Sequence, residues 1–252
     1  MIERIRLDLA LEQRGLVPSR ARARDAILRG TVTINGVQAH KQNQMVGRDD
    51  ALELSDPAAN YVSRAALKLV AGLDAGGISV EGKTCLDVGA STGGFTQVLM
   101  ERGARCIYAV DVGHDQFHER LKGSDRVVSM EGVNARDLTA EMIPEPIDLL
   151  VSDISFVSVI KVLEAPLALC TAKADAVILF KPQFEVGRQN VGKGGIVTSA
   201  VAIETALAEV IAFMQAQGFR HRQSVQSPIA GGDGNVETVL VFGRGNPHLT
   251  SP

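Results

Sequence analysis

From residue 84 onward, short apolar runs bounded by turn residues alternate with helical patterns, and that alternation leaves room for little besides a parallel α/β sheet. The runs are TCLDV (84–88), RCIYAVDV (105–112), RVVSM (126–130), IDLLVSD (147–153) and ADAVILF (174–180). GGFTQVLMERG, between the first two, reads as a helix, and SRAALKLVAGLDAG (63–76) before them turns Ala66, Leu69, Val70 and Leu73 to one face. After the fifth run, Ile203, Ala206, Leu207, Val210, Ile211 and Met214 mark the clearest helix, over 199–217, with Gly218 as its stop. RHRQSVQS and VETVLVFG supply two last strands. The expectation is a Rossmann-like, seven-stranded α/β sheet.

In such a sheet, ligands bind where strands end, and one strand end here is built for it. LDVGASTGG (86–94) follows the first strand and precedes a helix, and its glycines let backbone come close to a ligand. The next strand ends in Asp111, where a carboxylate can accept hydrogen bonds from both ribose hydroxyls of an adenosine-type ligand. The turn is not GxGxxG, and the absence of GxxxxGK[ST] disfavours a nucleotide triphosphatase. Asp153 and Lys181 follow the fourth and fifth strands, and Asn134 and Asp137 of NARD follow the third. Glu237 stands near the start of a final strand expected to run antiparallel, and Lys68 comes from the helix before the first strand. Asp153 with Lys181 could be an ordinary structural ion pair, but two lysines and two acids converging beside a ligand turn point to chemistry.

Charge divides the chain. Residues 1–48 carry a net +5 and the rest −8, within an overall −3. Leu7, Ala10 and Leu11 predict a short helix ended by Gly15. Ser19 caps a second, with Ala23, Ala26 and Ile27 inward, Arg20 and Arg24 on one flank, Arg22 and Arg29 on the other. TVTINGVQ then alternates around Asn35-Gly36, a dipeptide suited to a tight hairpin. Clustered cations fit a nucleic-acid grip or a solvated arginine-rich face. About 50 residues bury little core alone, which favours a docking appendage. Cys85, Cys106 and Cys170 lie far apart in apolar runs, as reduced core thiols would. The opening MIERIRLD has no apolar signal core, and no run approaches a membrane span, so a cytoplasmic protein is expected.

The segment Arg6–Val37 resembles the ribosomal protein S4-like RNA-binding domain, through its arginine helix, its glycine stop and its NGV hairpin. That resemblance implies RNA contact by Arg4, Arg6, Arg20, Arg22, Arg24 and Arg29. The larger part is similar to the FtsJ-type ribose 2′-O-methyltransferases. It matches their Lys-Asp-Lys-Glu tetrad at Lys68, Asp153, Lys181 and Glu237. The resemblance further implies S-adenosyl-L-methionine bound by Asp87, Gly89, Ala90, Ser91, Thr92, Gly93, Gly94, Asp111, Asn134 and Asp153, with no metal. KPQFEVGR (181–188) and SPIAGGDGN (227–235) extend the likeness over nearly the whole chain to the TlyA, or hemolysin A-like, family. The family's activity is methylation of cytidine 2′-hydroxyls in ribosomal RNA. The implied domains are an S4-like domain at 1–54, a linker at 55–62, a methyltransferase domain at 63–245 and a tail at 246–252. A non-catalytic ribosome-associated protein, a cytolysin and a small-molecule methyltransferase are the competing readings.

Overall fold

The computed structural model describes residues 4–231 and 233–245, so the expected tail at 246–252 lies outside the described residues. The chain divides into two compact units, Met1–Asn60 and Tyr61–Pro252.

In the first unit, β1 (Arg4–Arg6) leads into α1 (Leu7–Gln13) and α2 (Arg20–Leu28). Then come β2 (Val32–Ile34), β3 (Val37–Gln38), β4 (Met45–Gly47) and β5 (Leu52–Leu54). Ser19 caps α2 by accepting the Arg22 N–H. Asn35 and Gly36 both take positive φ, 51° and 77°, as a two-residue hairpin turn between β2 and β3 demands. Leu7, Leu11, Ala23, Ala26, Ile27, Val32 and Val46 close a small core. The pairing of β1 with β4 was not foreseen, because three residues carry no readable period. Within the segment expected to be a linker, Arg29 clasps Asp56 and Arg22 donates to the Ala58 carbonyl.

The second unit runs α3 (Ala66–Gly76), β6 (Thr84–Val88), α4 (Gly94–Glu101), β7 (Cys106–Asp111), α5 (Glu119–Lys122), β8 (Val127–Glu131) and β9 (Ile147–Ser152). It continues through α6 (Glu164–Ala168), β10 (Cys170–Phe180), α7 (Pro182–Glu185), α8 (Ala200–Ala216), β11 (Arg220–Gln226) and β12 (Thr238–Gly243). The strands lie in the order β11-β12-β10-β9-β6-β7-β8. Strands β6 to β10 are parallel, and β12 is antiparallel to both its neighbours.

All five residues of β6 are buried, since helices cover both faces, and the strand therefore shows no in-and-out alternation, its Thr84 and Asp87 being buried along with Cys85, Leu86 and Val88. Successive residues feed opposite cores. Leu86 joins Leu150, Ile178 and the α8 residues Val210 and Met214, while Cys85 joins Leu69, Leu73, Leu99 and Val177. Gly72 lets α3 press onto the sheet, because a methyl there would come within 2.7 Å of Val177 and Val239. Strand β10 begins earlier than its apolar run, with a register shift against β9 between Cys170 and Asp175. Among the described residues, no helix is long and apolar enough to cross a membrane.

This topology decides where the candidate side chains emerge. Val88 is level with Ser152, and Phe180 pairs with Thr238 at the start of β12. Residues just after β6, β9 and β10 therefore share one sheet edge with the residue just before β12.

Candidate active site

The glycine turn leaves β6 at that edge. Gly89 has φ +84°, and a methyl on it would meet the backbone of Asp153 and Ile154 at 3.3 Å. Gly93 has φ +93° before α4, where a methyl would stand 2.3 Å from Leu121, so glycine is required twice over. Asp111 ties the turn to β7: Oδ2 accepts the Ser91 N–H at 2.7 Å and Oδ1 the Gly113 N–H at 2.7 Å. Each oxygen retains a second lone pair. Gly89, Ser91, Asp111, Asn134, Asp153 and Ile154 help line a cavity of about 520 Å³, with Val110, Val133 and Ala135 as apolar wall. Asn134 accepts from the backbone and side chain of Arg136 through Oδ1. Such a cavity, apolar with a few convergent polar groups, fits a nucleoside-bearing ligand.

Asp87 stands apart from the other turn residues. It lines neither this cavity nor its neighbour, and is fully buried with Oδ2 accepting from the Thr96 hydroxyl at 2.7 Å. Its Oδ1 has no partner, and burial pushes its carboxyl up to about 7, against the opposing Thr96 bond and with help from nearby Asp153. Asp87 thus supports the turn from below. Asp137, in a 3-10 turn, is exposed and also lines neither cavity.

The four tetrad candidates meet in a line of alternating charge. Lys68 Nζ lies 2.6 Å from Glu237 Oε2 and 3.6 Å from Asp153 Oδ2, and Lys181 Nζ lies 2.7 Å from Asp153 Oδ1. Lys68, Lys181 and Glu237 are at most 7% exposed, so the charges compensate one another where water cannot. Glu237 Oε2 and Asp153 Oδ1 meet their lysines off axis, as ion pairs without aligned hydrogen bonds. A second cavity of about 180 Å³, lined by Ser63, Ala90, Thr92, Gly94, Ser155 and Lys181, shares Gly89, Ser91, Asp153 and Ser155 with the larger one.

Two groups here had no role in the sequence reading. Ser155 Oγ accepts from Lys181 Nζ at 2.7 Å. Asn235, buried beside Glu237 in sequence, accepts the Val197 N–H and donates to the Gly195 carbonyl, pinning the loop after α7 to the segment entering β12. SPIAGGDGN signalled that segment without revealing its partner.

In the first unit the six arginines separate by partner. Asp8 is wholly buried and receives Arg6 Nε at 2.9 Å and Arg20 and Arg24 each at 3.2 Å, which holds its carboxyl far below the usual range. Those three guanidiniums remain nearly half exposed, and Arg4 is exposed on β1. Arg29 is spent internally, on Asp25 and on both oxygens of Asp56 at 2.6 Å. Arg22 reaches the Ala58 carbonyl at 2.9 Å.

Residues 61–244 match the FtsJ-like methyltransferase family, and residues 5–52 match the S4 domain. The 16S/23S rRNA (cytidine-2′-O)-methyltransferase TlyA of Mycobacterium tuberculosis is 43% identical over 95% of this chain and 90% of its own length. The chain belongs to the TlyA family. Hemolysin A of Brachyspira hyodysenteriae, another TlyA-like relative, is 40% identical over 94% of this chain and 99% of its own. A solved structure from Streptococcus thermophilus that carries a hemolysin name superposes with a TM-score of 0.74 at 34% identity, covering 98% of this chain and 90% of that one. This TlyA-family chain is accordingly an enzyme of the FtsJ-like methyltransferase class with an S4 domain at its amino-terminal end.

Proposed function

We propose that this protein methylates the 2′-hydroxyl of a cytidine in ribosomal RNA, using S-adenosylmethionine, and so works in the cytoplasm where ribosomes are assembled. The observation that carries this reading is the line Glu237–Lys68–Asp153–Lys181, in which Asp153 lines both the nucleoside-sized cavity and the smaller one, Lys181 lines the smaller, and Lys68 and Glu237 stand behind them, lining neither. The name of the Mycobacterium tuberculosis relative supplies the substrate class.

When bound, S-adenosylmethionine supplies a methyl group activated by its sulfonium sulfur. Asp111 and Asn134 would hold its nucleoside part, with the backbone of Gly89, Ala90, Ser91 and Thr92 close against it and Gly93 and Gly94 setting the turn. A ribose hydroxyl is a poor nucleophile at neutral pH, so the barrier falls when positive charge faces the oxygen as its proton leaves to water. The Lys181 ammonium provides that charge, held by Asp153. Lys68, fixed by Glu237, orients the ribose through the other side of Asp153. These residues would act chiefly by holding the ribose oxygen in place against the bound cofactor, so most of the acceleration would come from positioning rather than from a covalent enzyme intermediate. Arg4, Arg6, Arg20 and Arg24 supply phosphate contacts that carry the RNA, whereas Arg29 and Arg22 serve the unit's own structure.

Labelled methyl transfer from S-adenosylmethionine to separated small and large ribosomal subunits of a strain lacking the gene tests the reading. A modified cytidine ribose on either subunit supports it, and label on neither contradicts it.

A further inference from the structure

Lys181 has three N–H donors, and three oxygens already stand around them. Asp153 Oδ1 lies off axis at 2.7 Å, while the aligned hydrogen bonds run to the Asp153 carbonyl at 3.2 Å and to Ser155 Oγ at 2.7 Å. All three acceptors belong to the segment leaving β9. The ammonium is 5% exposed, whereas Ser155 is exposed and lines both cavities. Both Lys181 and Ser155 line the smaller cavity, but Ser155 is the exposed one and alone of the two lines the larger cavity as well. A hydroxyl that accepts from a cation is polarised and donates more strongly through its own O–H.

We propose that the Ser155 hydroxyl, polarised by Lys181, is the hydrogen-bond donor that meets the reacting ribose oxygen. This deepens the proposed methyl transfer and rests on it. As the ribose oxygen bonds to the methyl carbon, its proton passes to water, and the electron pair of the breaking carbon–sulfur bond stays on sulfur. Negative charge develops on the oxygen before that bond is complete. Ser155 O–H stabilises it there and keeps its own proton throughout, while Lys181 supplies the field. Asp153 then sets both donors, through its carboxylate and through its carbonyl.

Ser155→Ala and Ser155→Thr separate this role from simple packing, with ribosomal subunits from a strain lacking the gene as substrate. The alanine variant is expected to lose about 10- to 100-fold in kcat, with KM for subunits and calorimetric affinity for S-adenosylmethionine each within about threefold of the parent. The threonine variant keeps a hydroxyl on the same carbon and is expected to retain kcat within about fivefold. The proposal is overturned if the alanine variant keeps kcat within about threefold, if both variants lose it equally, or if the loss lies in KM or cofactor affinity. A parent enzyme that transfers no methyl to either subunit removes the underlying reading and this inference with it. Full activity in the parent, loss in Lys181→Ala and none in Ser155→Ala removes the inference alone.

Discussion

Asp111 gives both carboxylate oxygens to backbone N–H groups, one on each side of the strand end, so it shapes the cofactor turn as well as facing its cavity. Asp111→Ala removes two charge-assisted hydrogen bonds and any ribose contact together. Affinity for S-adenosylhomocysteine should fall by about tenfold or more, and calorimetry giving the parental Kd would remove Asp111 from the cofactor site. Asp87 offers a different test, because its carboxyl titrates near 3.8 when free and at about 7 in the fold. Between those values the folded chain keeps a proton that the unfolded chain has lost. Stability from this residue is therefore complete below about pH 4 and declines as pH rises through about 7. Asp87→Asn cannot titrate, so its stability should gain on the parent's by up to about 1.4 kcal/mol per pH unit in that window. Denaturant midpoints that stay parallel from pH 4 to 7 would show that Asp87 is ionised in the fold.

Elements were legible where burial imposed a long period. Strands β6, β7 and β9 are covered on both faces and announced themselves as largely apolar runs, and α8 carried a helical stripe from Ile203 to Met214, about three turns. β1, β4 and α5 to α7 span three to five residues, too few to hold a period against chance. The convergence of the four tetrad candidates was readable because each sits next to a strand end or on α3. Ser155 was not, because its meaning depends on Lys181 lying 2.7 Å away across a separation of 26 residues. Arginine roles on α2 were likewise hidden, since spacing gives the flank and only the fold gives the partner. Arg20 and Arg24 surround Asp8 and stay near half exposed, whereas Arg29 is held by Asp25 and Asp56. Arg29→Ala leaves the Asp56 carboxylate buried without that pair and should cost about 1–3 kcal/mol in chemical denaturation, with little effect on RNA affinity at folded conditions. Arg20→Ala with Arg24→Ala removes two of the three guanidiniums around buried Asp8 and so costs stability too, but under folded conditions it should also lower ribosomal RNA affinity, flattening its salt slope by about one per lost phosphate contact. Equal effects from the two sets would dissolve the distinction.

At the scale of the whole molecule, the net +5 of residues 1–48 falls inside the first unit, which four acids between Asp49 and Asp56 bring to +1 overall, and the two cavities and four tetrad candidates described above lie in the second. On the proposed function, recognition of a phosphate-rich surface belongs to the first unit and chemistry on one ribose to the second. Such a division explains an acidic enzyme that acts on a polyanion, because the cations are concentrated where binding needs them. The buried thiols take no part: burial pushes Cys85 and Cys170 up to about 12, away from thiolate reactivity. What the account stands on is that a lysine held by Asp153 faces the oxygen that receives the methyl group. Single-turnover methyl transfer to ribosomal subunits by Lys181→Ala measures this directly, alongside calorimetric affinity for S-adenosylmethionine. The account predicts a rate lower by about 100-fold or more with cofactor affinity within about threefold of the parent, and transfer at the parental rate would contradict it.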